Sequence, residues 1–191
     1  MEKNRLEAFS DGVIAVIITI MVLEFKAPHT ADLEALRAIA PTFLVYVLSF
    51  VNVGIYWNNH HHLLGAADKI DGRVMWANLH MLFWLSLVPF CTNWVGEHHL
   101  EAVPTALYGV VLFASAIAFI GLQASLVAMK ENAALAAMVG TDIKGKLSLA
   151  LYAIAIVMAF VDQWVSDVLF VAVAMIWFVP DRRIEKRVIA P

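Results

Sequence analysis

Apolar residues run through this chain in long blocks separated by short polar breaks. The blocks fall at about 8–25, 39–64, 74–96, 103–129, 147–163 and 164–180. A helix needs roughly 20 residues to cross the hydrocarbon core of a bilayer, with about 17 at the short end. The pattern predicts an all-α membrane protein of six transmembrane helices, the first, fifth and sixth near the lower limit. The last two blocks meet at Asp162, Gln163, Ser166 and Asp167, which demands a very tight turn, and a single buried hairpin is the alternative there. Residues 31–38 are expected to make two helical turns at the outer surface. The Ala-rich stretch 130–146 is expected to carry the fourth helix into the cytoplasm before turning at Gly140 or Gly145. With no repeat or linker, residues 1–191 read as one transmembrane domain.

Lysine and arginine set the orientation. With six spans and an inner N-terminus, the inner segments carry Lys3, Arg5, Lys69, Arg73, Lys130, Lys144, Lys146, Arg182, Arg183, Lys186 and Arg187. The outer loops carry only Lys26 and Arg37. Under the positive-inside rule this asymmetry places both termini in the cytoplasm, and the expected location of the multi-pass chain is the cell (inner) membrane. Trp94, Trp164 and Trp177 fall near predicted helix ends, where interfacial tryptophans belong. Composition agrees: 62% of residues are hydrophobic and 15% charged, too few charges to cover a soluble domain. A net charge of −3 gives no footprint for nucleic acid. Cys91 is the only cysteine, so no disulfide forms within the chain. Glu2, Glu7 and Asp11 break the character of a signal peptide, and the first helix is read as retained.

That first helix is unusual. Only twelve uncharged residues lie between Asp11 and Glu24, too few for comfortable contact with lipid. At about 100° per residue, Val16, Ile20 and Leu23 form one narrow aliphatic stripe, flanked by Gly12 and Thr19 on one side and Val13 on the other. Ordinary helix packing would explain such a stripe from periodicity alone, and a threonine such as Thr19 commonly bonds a carbonyl one turn back. Asp11 points away from the stripe, toward its own bundle. Its candidate partners are the inner end of helix 2, Trp57-Asn58-Asn59-His60-His61-His62, and Asn78 and His80 in helix 3. Together with Arg5 these would form a buried polar network near the inner leaflet.

Three consecutive histidines raise a metal site. Adjacent residues point about 100° apart on a helix, so at most two of them converge on one ion. The second cluster, Glu97, His98 and His99, lies at the opposite end of helix 3, and no metal site is assigned. Structural hydrogen bonding is the plainer role for the inner cluster, with proton sensing next. Enzyme signatures are missing: no zincin pair, no phosphate loop, no nucleophile with an evident base. The carbonyl filter sequence of ordinary potassium channels is absent too.

The run Arg5-Leu6-Glu7-Ala8-Phe9-Ser10-Asp11-Gly12, followed by residues 13–19, closely resembles the signature of the transmembrane-protein-175 family. So do Trp57-x-Asn59-His60-His61 and the stretch from Asn78 through Ser86, Pro89, Phe90 and Thr92. His62 stands where that family usually has arginine. The family comprises a lysosomal potassium channel of animals and its prokaryotic relatives. The resemblance implies a non-canonical, potassium-selective leak channel with no cofactor and potassium as the permeant ion. It implies a homotetramer in the bilayer whose pore is lined by helix 1 of each subunit. Carried over by position, Val16, Ile20 and Leu23 form the constriction, and Thr19 is tied to selectivity. Arg5, Phe9, Ser10 and Asp11, with His60, His61 and Asn78, hold the inner end of the helix. Two competing readings stand beside it: a proton-coupled transporter using Asp11 and the inner histidines, and a metal-binding protein or enzyme built on the histidine clusters.

Overall fold

The computed structural model describes residues 2–28, 30–98, 100–140 and 142–178. All regular structure among them is helical. In chain order the elements are α1 Lys3–Leu23, α2 Leu33–Ala38, α3 Ala40–Gly65, α4 Gly72–Ser86, α5 Val88–Glu97 and α6 Ala102–Val127. A 3-10 turn, Lys130–Asn132, then leads to α7 Ala133–Val139, α8 Ile143–Met158 and α9 Gln163–Phe178.

Local chemistry sets several of these boundaries. Asp32 starts α2 by accepting from the Ala35 amide at 2.7 Å, and Asp71 starts α4 by accepting from Arg73 and Val74. Asp142 starts α8 by accepting from Gly145 at 2.8 Å. Each is an acidic N-cap on otherwise unpaired amides. The predicted third helix is divided in two at Leu87. Pro89 is the reason: it has no N–H to offer the Leu85 carbonyl and crowds that carbonyl, so the rod breaks one turn before it.

Tertiary hydrogen bonds show which helix ends lie together. Lys3 donates to the carbonyls of Gly65 and Ala67 at 3.3 and 3.1 Å, so α1 begins beside the end of α3. At the other end of the bundle Thr42 donates to the Gly96 carbonyl at 2.7 Å, and Lys26 pairs with Glu97 at 2.7 Å. Trp177 Nε1 donates to Ser148 Oγ at 2.8 Å, which brings the end of α9 to the start of α8. Taking α4 and α5 as one rod, the chain runs back and forth six times. Four rods, Lys3–Leu23, Ala40–Gly65, Gly72–Glu97 and Ala102–Val127, are long and apolar enough to cross a membrane. This is a multi-pass membrane protein. The last two rods, α8 and α9, have 16 residues each, a rise of about 24 Å against a hydrocarbon core of roughly 30 Å. The predicted end of helix 6 at residue 180 lies outside the described residues, as do Arg182, Arg183, Lys186, Arg187 and His99.

α6 sits at the centre, packed on α4 along one side and on α8 along the other. α1 is peripheral and rests on α3, α4 and α5. The fourth helix does not run on through the Ala-rich stretch as expected. It ends at Val127, Met129 is extended, and the chain folds back through the 3-10 turn into α7. Asn132 holds this corner. Its side chain accepts from the Asp68 and Lys69 amides at 2.9 and 3.0 Å and donates to the Lys69 and Leu126 carbonyls at 3.0 Å each. Alanine propensity is a weak preference beside four hydrogen bonds made by one buried side chain. The expected turn does come at Gly140, whose φ of 51° suits glycine.

Gly109 lets α6, α8 and α9 approach closely: a Cβ there would lie 2.9 Å from Ile156 Cγ1 and 3.0 Å from Phe170 Cζ. Gly109→Ala is expected to cost about 1–3 kcal/mol through overpacking. Thermal unfolding of the purified protein in detergent checks this, and an unchanged melting temperature would mean a looser contact.

Candidate functional site

α1 presents two contrasting faces. Leu6, Ser10, Ile14, Ile17 and Met21 are buried against the rest of the subunit. The opposite face is open: Phe9 is 51% exposed, Val16 54%, Ile20 40% and Leu23 78%. At about 100° per residue Arg5, Phe9, Ile20 and Leu23 all lie within roughly 40° of Val16, so they share this face. Thr19 lies beside them, its hydroxyl donating to the carbonyls of Ala15 and Val16 at 3.0 Å each. A Cβ added at Gly12, on the same side, would meet nothing within 4 Å. Between this face and the break near Pro89 runs an open groove of about 730 Å³, lined also by Phe90 and Asn93.

Two buried polar layers fix the rotation of α1. Near its start, His60 Nε2 and Asn78 Oδ1 are 2.7 Å apart, and Asn78 Nδ2 donates to Ser10 Oγ at 2.9 Å. Ser10 in turn donates to the Leu6 carbonyl at 2.8 Å. Because the Asn78 amide nitrogen faces Ser10, its oxygen faces the imidazole, which therefore carries its proton on Nε2. All three side chains are buried, and they tie α1, α3 and α4 together. Near the other end, Thr92 donates to Ser49 at 2.7 Å, and Ser49 and Tyr108 are bonded at 3.0 Å. The Met21 sulfur of α1 sits 4.0 Å from the same threonine hydroxyl.

The seven residues expected at the inner end thus separate. Ser10, His60 and Asn78 form the network. Asp11 stands beside it, half-buried, accepting from Trp57 Nε1 at 2.9 Å, and the exposed His61 stacks on Trp57 at 6.1 Å between centroids. Arg5 and Phe9 face outward with the stripe. His80, also expected in the network, accepts instead from Trp84 Nε1 at 2.9 Å. One step of 100° decides the difference between Ser10 and Asp11: serine lies on the line through Leu6 and Ile14, and aspartate falls on the flank. Trp57 is legible in the sequence as part of the helix 2 motif, whereas nothing local marks Asn132. At the far end, Lys26 hydrogen-bonds Glu97, which holds its ammonium above the ordinary pKa. Among the described residues no three histidines, cysteines or carboxylates converge as metal ligands.

Residues 5–89 match the family model of the endosomal/lysosomal potassium channel TMEM175. The chain is also 46% identical to a potassium channel of Chryseobacterium sp. (strain P1-3) over 187 residues, 97% of each protein. The chain belongs to the TMEM175 family. The crystal structure of a lysosomal potassium-selective TMEM175 homolog from Chamaesiphon minutus matches it with a TM-score of 0.81 and 27% identity, over 99% of both chains. The endosomal/lysosomal proton channel TMEM175 of Gallus gallus is 28% identical over 137 residues, 62% of this chain and 27% of that protein. The TMEM175 relatives are ion channels and not enzymes, and the likeness extends beyond the first half of the chain to α6, α8 and α9.

The two kinds of contact around Ser10 and Asp11 are separable by mutation. Asn78→Ala leaves the His60 imidazole buried and unpaired, at a cost of about 1–3 kcal/mol. Asp11→Ala breaks a more exposed bond to Trp57 and is expected to cost less. Chemical or thermal unfolding of both variants checks the order, and the reverse order would mean that Asp11 is the buried anchor of α1.

Proposed function

We propose that the chain is one subunit of a homotetrameric potassium-selective leak channel of the cell's inner membrane, with α1 of each subunit lining a shared pore. In this reading residues 1–191 form one domain with six spans and both termini in the cytoplasm. The observation that carries it is the outward face of α1. Val16, Ile20 and Leu23 are unpartnered within the subunit, yet the uncharged stretch between Asp11 and Glu24 rises only about 18 Å, too short to face lipid across the bilayer. Such a face belongs inside an assembly.

Helix geometry favours four copies. Helices packed about 10 Å apart around an axis leave a gap of roughly 4 Å for four copies and nearly none for three. Stacked rings of Val16, Ile20 and Leu23 then form a narrow aliphatic path. An ion crossing it must shed or distort its water shell while the wall supplies little in return. Potassium holds its water less tightly than sodium and meets the lower barrier, which is selectivity without a carbonyl filter. Thr19, bonded to its own helix beside the stripe, supports the wall and offers an oxygen near it. Glu24 follows Leu23 at the C-terminal end of α1. Four such carboxylates and four negative helix ends would gather cations at the outer mouth.

A second reading has its own support. Asp11 and His60 sit at the inner end of the same helix bundle, and the chicken relative is a proton channel. Current that persists at symmetric pH under a potassium gradient separates potassium flow from proton-driven transport.

Ile20→Asn and Leu23→Asn should wet the constriction, raising conductance and moving the reversal potential under a potassium–sodium gradient toward zero. Ile17→Val, on the buried face, should leave both close to wild type. Channels reconstituted in planar bilayers, first matched for assembly by size, supply the test. Unchanged selectivity in both Asn variants, with a shift in Ile17→Val, would mean that another face of α1 lines the path.

A further inference from the structure

A second polar feature lies inside each subunit, away from the open face of α1. On α3, Asn52, Tyr56, Asn59 and His62 follow one another down a single stripe facing α6, α8 and α9. Two adjoining cavities run along it. The deeper, with about 40 Å³ of room, is bounded by Asn52, Tyr56, Tyr152 and Ser148, and the shallower, about 30 Å³, by His62 and Gln123. Asn59, Phe119, Asp142 and Trp177 border both, so the two form one cleft that opens beside the start of α8.

Two buried side-chain nitrogens on residues that line this cleft have no hydrogen bond within the geometric limits of one. Asn52 is 3% exposed, and its Nδ2 has no hydrogen-bond partner. Its amide also lies near the Tyr108 hydroxyl, which is bonded to Ser49 at 3.0 Å. His62 Nδ1 is likewise buried and unpaired. A buried amide nitrogen left unsatisfied in a membrane protein costs several kcal/mol, and water is the common remedy where polar groups and space coincide. A water needs about 10–15 Å³ of such room, so the two cavities hold roughly five.

We infer that this cleft is a water-binding site, a short file of ordered water entering from the end that carries Asp142 and reaching Asn52 within the bundle. From His62 to Asn52 is ten residues of helix, about 15 Å, or half the hydrocarbon thickness. The site accounts for a second oddity. α8, with 16 residues, is too short to span a full bilayer, and a wet cleft along its inner end shortens the dry path it must cover. The inference does not depend on which ion the channel carries.

Thiol accessibility tests it, in the full-length protein in sealed vesicles with the buried Cys91 replaced by serine. Ala116→Cys and Ile120→Cys place a thiol on the cleft wall, and either suffices if the other fails to fold. Ala118→Cys, buried but off the cleft, is the reference. A small charged methanethiosulfonate applied from the Asp142 side should label the cleft cysteines at least tenfold faster than the Ala118→Cys reference. From the opposite side it should not. Adding Asn52→Leu should slow cleft labelling at least threefold while the melting temperature shows the fold intact. Equal rates at cleft and reference positions, faster labelling from the far side, or no effect of Asn52→Leu would each overturn the inference.

Discussion

In hydrocarbon a polar group without a partner is costly, and that constraint decides how α1 is turned. Among the described residues, Ser10 is the route by which the His60–Asn78 pair reaches α1, and it demands that the line through Leu6, Ser10 and Ile14 face inward. The Thr92–Ser49–Tyr108 layer meets the same face of α1 at Met21. A helix pinned at two levels cannot rotate to hide its other side. The aliphatic face of Val16, Ile20 and Leu23 is therefore left for neighbours beyond the subunit, and the proposed pore follows from the anchoring of its back.

The same constraint separates structural from functional polarity. Ser10, His60 and Asn78 answer one another within the subunit, as do Thr92, Ser49 and Tyr108. Arg5 and Glu24 are exposed at the two ends of α1, where an assembly or an ion could meet them. Asn52 and the Nδ1 of His62 belong to neither group, since they are buried without a hydrogen bond beside space large enough for water. In the proposed assembly the subunit then carries two routes of different character: an aliphatic one shared between copies at the axis, and the inferred water file enclosed within each copy.

What could be read from the sequence depended on how local its cause was. Long apolar blocks placed α1, α3 and α6 within a few residues, because length and hydropathy alone require those spans. The aliphatic stripe was legible because 3.6-residue periodicity fixes which side chains share a face. The choice between Ser10 and Asp11 as the inward residue was not, because periodicity gives relative angles and leaves the rotation of the helix to its neighbours. The stretch 130–146 misled for a related reason. Its alanines favour helix, yet the corner is held by Asn132 gripping backbone more than sixty residues away. Pro89 was visible in the sequence, but the division of its helix at Leu87 became evident only in the backbone.

The central claim, that the open face of α1 lines the conduction path, is tested most directly by a cysteine scan of α1 in the Cys91→Ser background, read as block of potassium current by a hydrophilic thiol reagent. The account requires block at Gly12, Val16, Thr19, Ile20 and Leu23, and protection at Ser10, Ile14, Ile17 and Met21. Block that followed the second set, or cysteines at the first set that reacted only with lipid-soluble reagents and left the current intact, would place the path elsewhere.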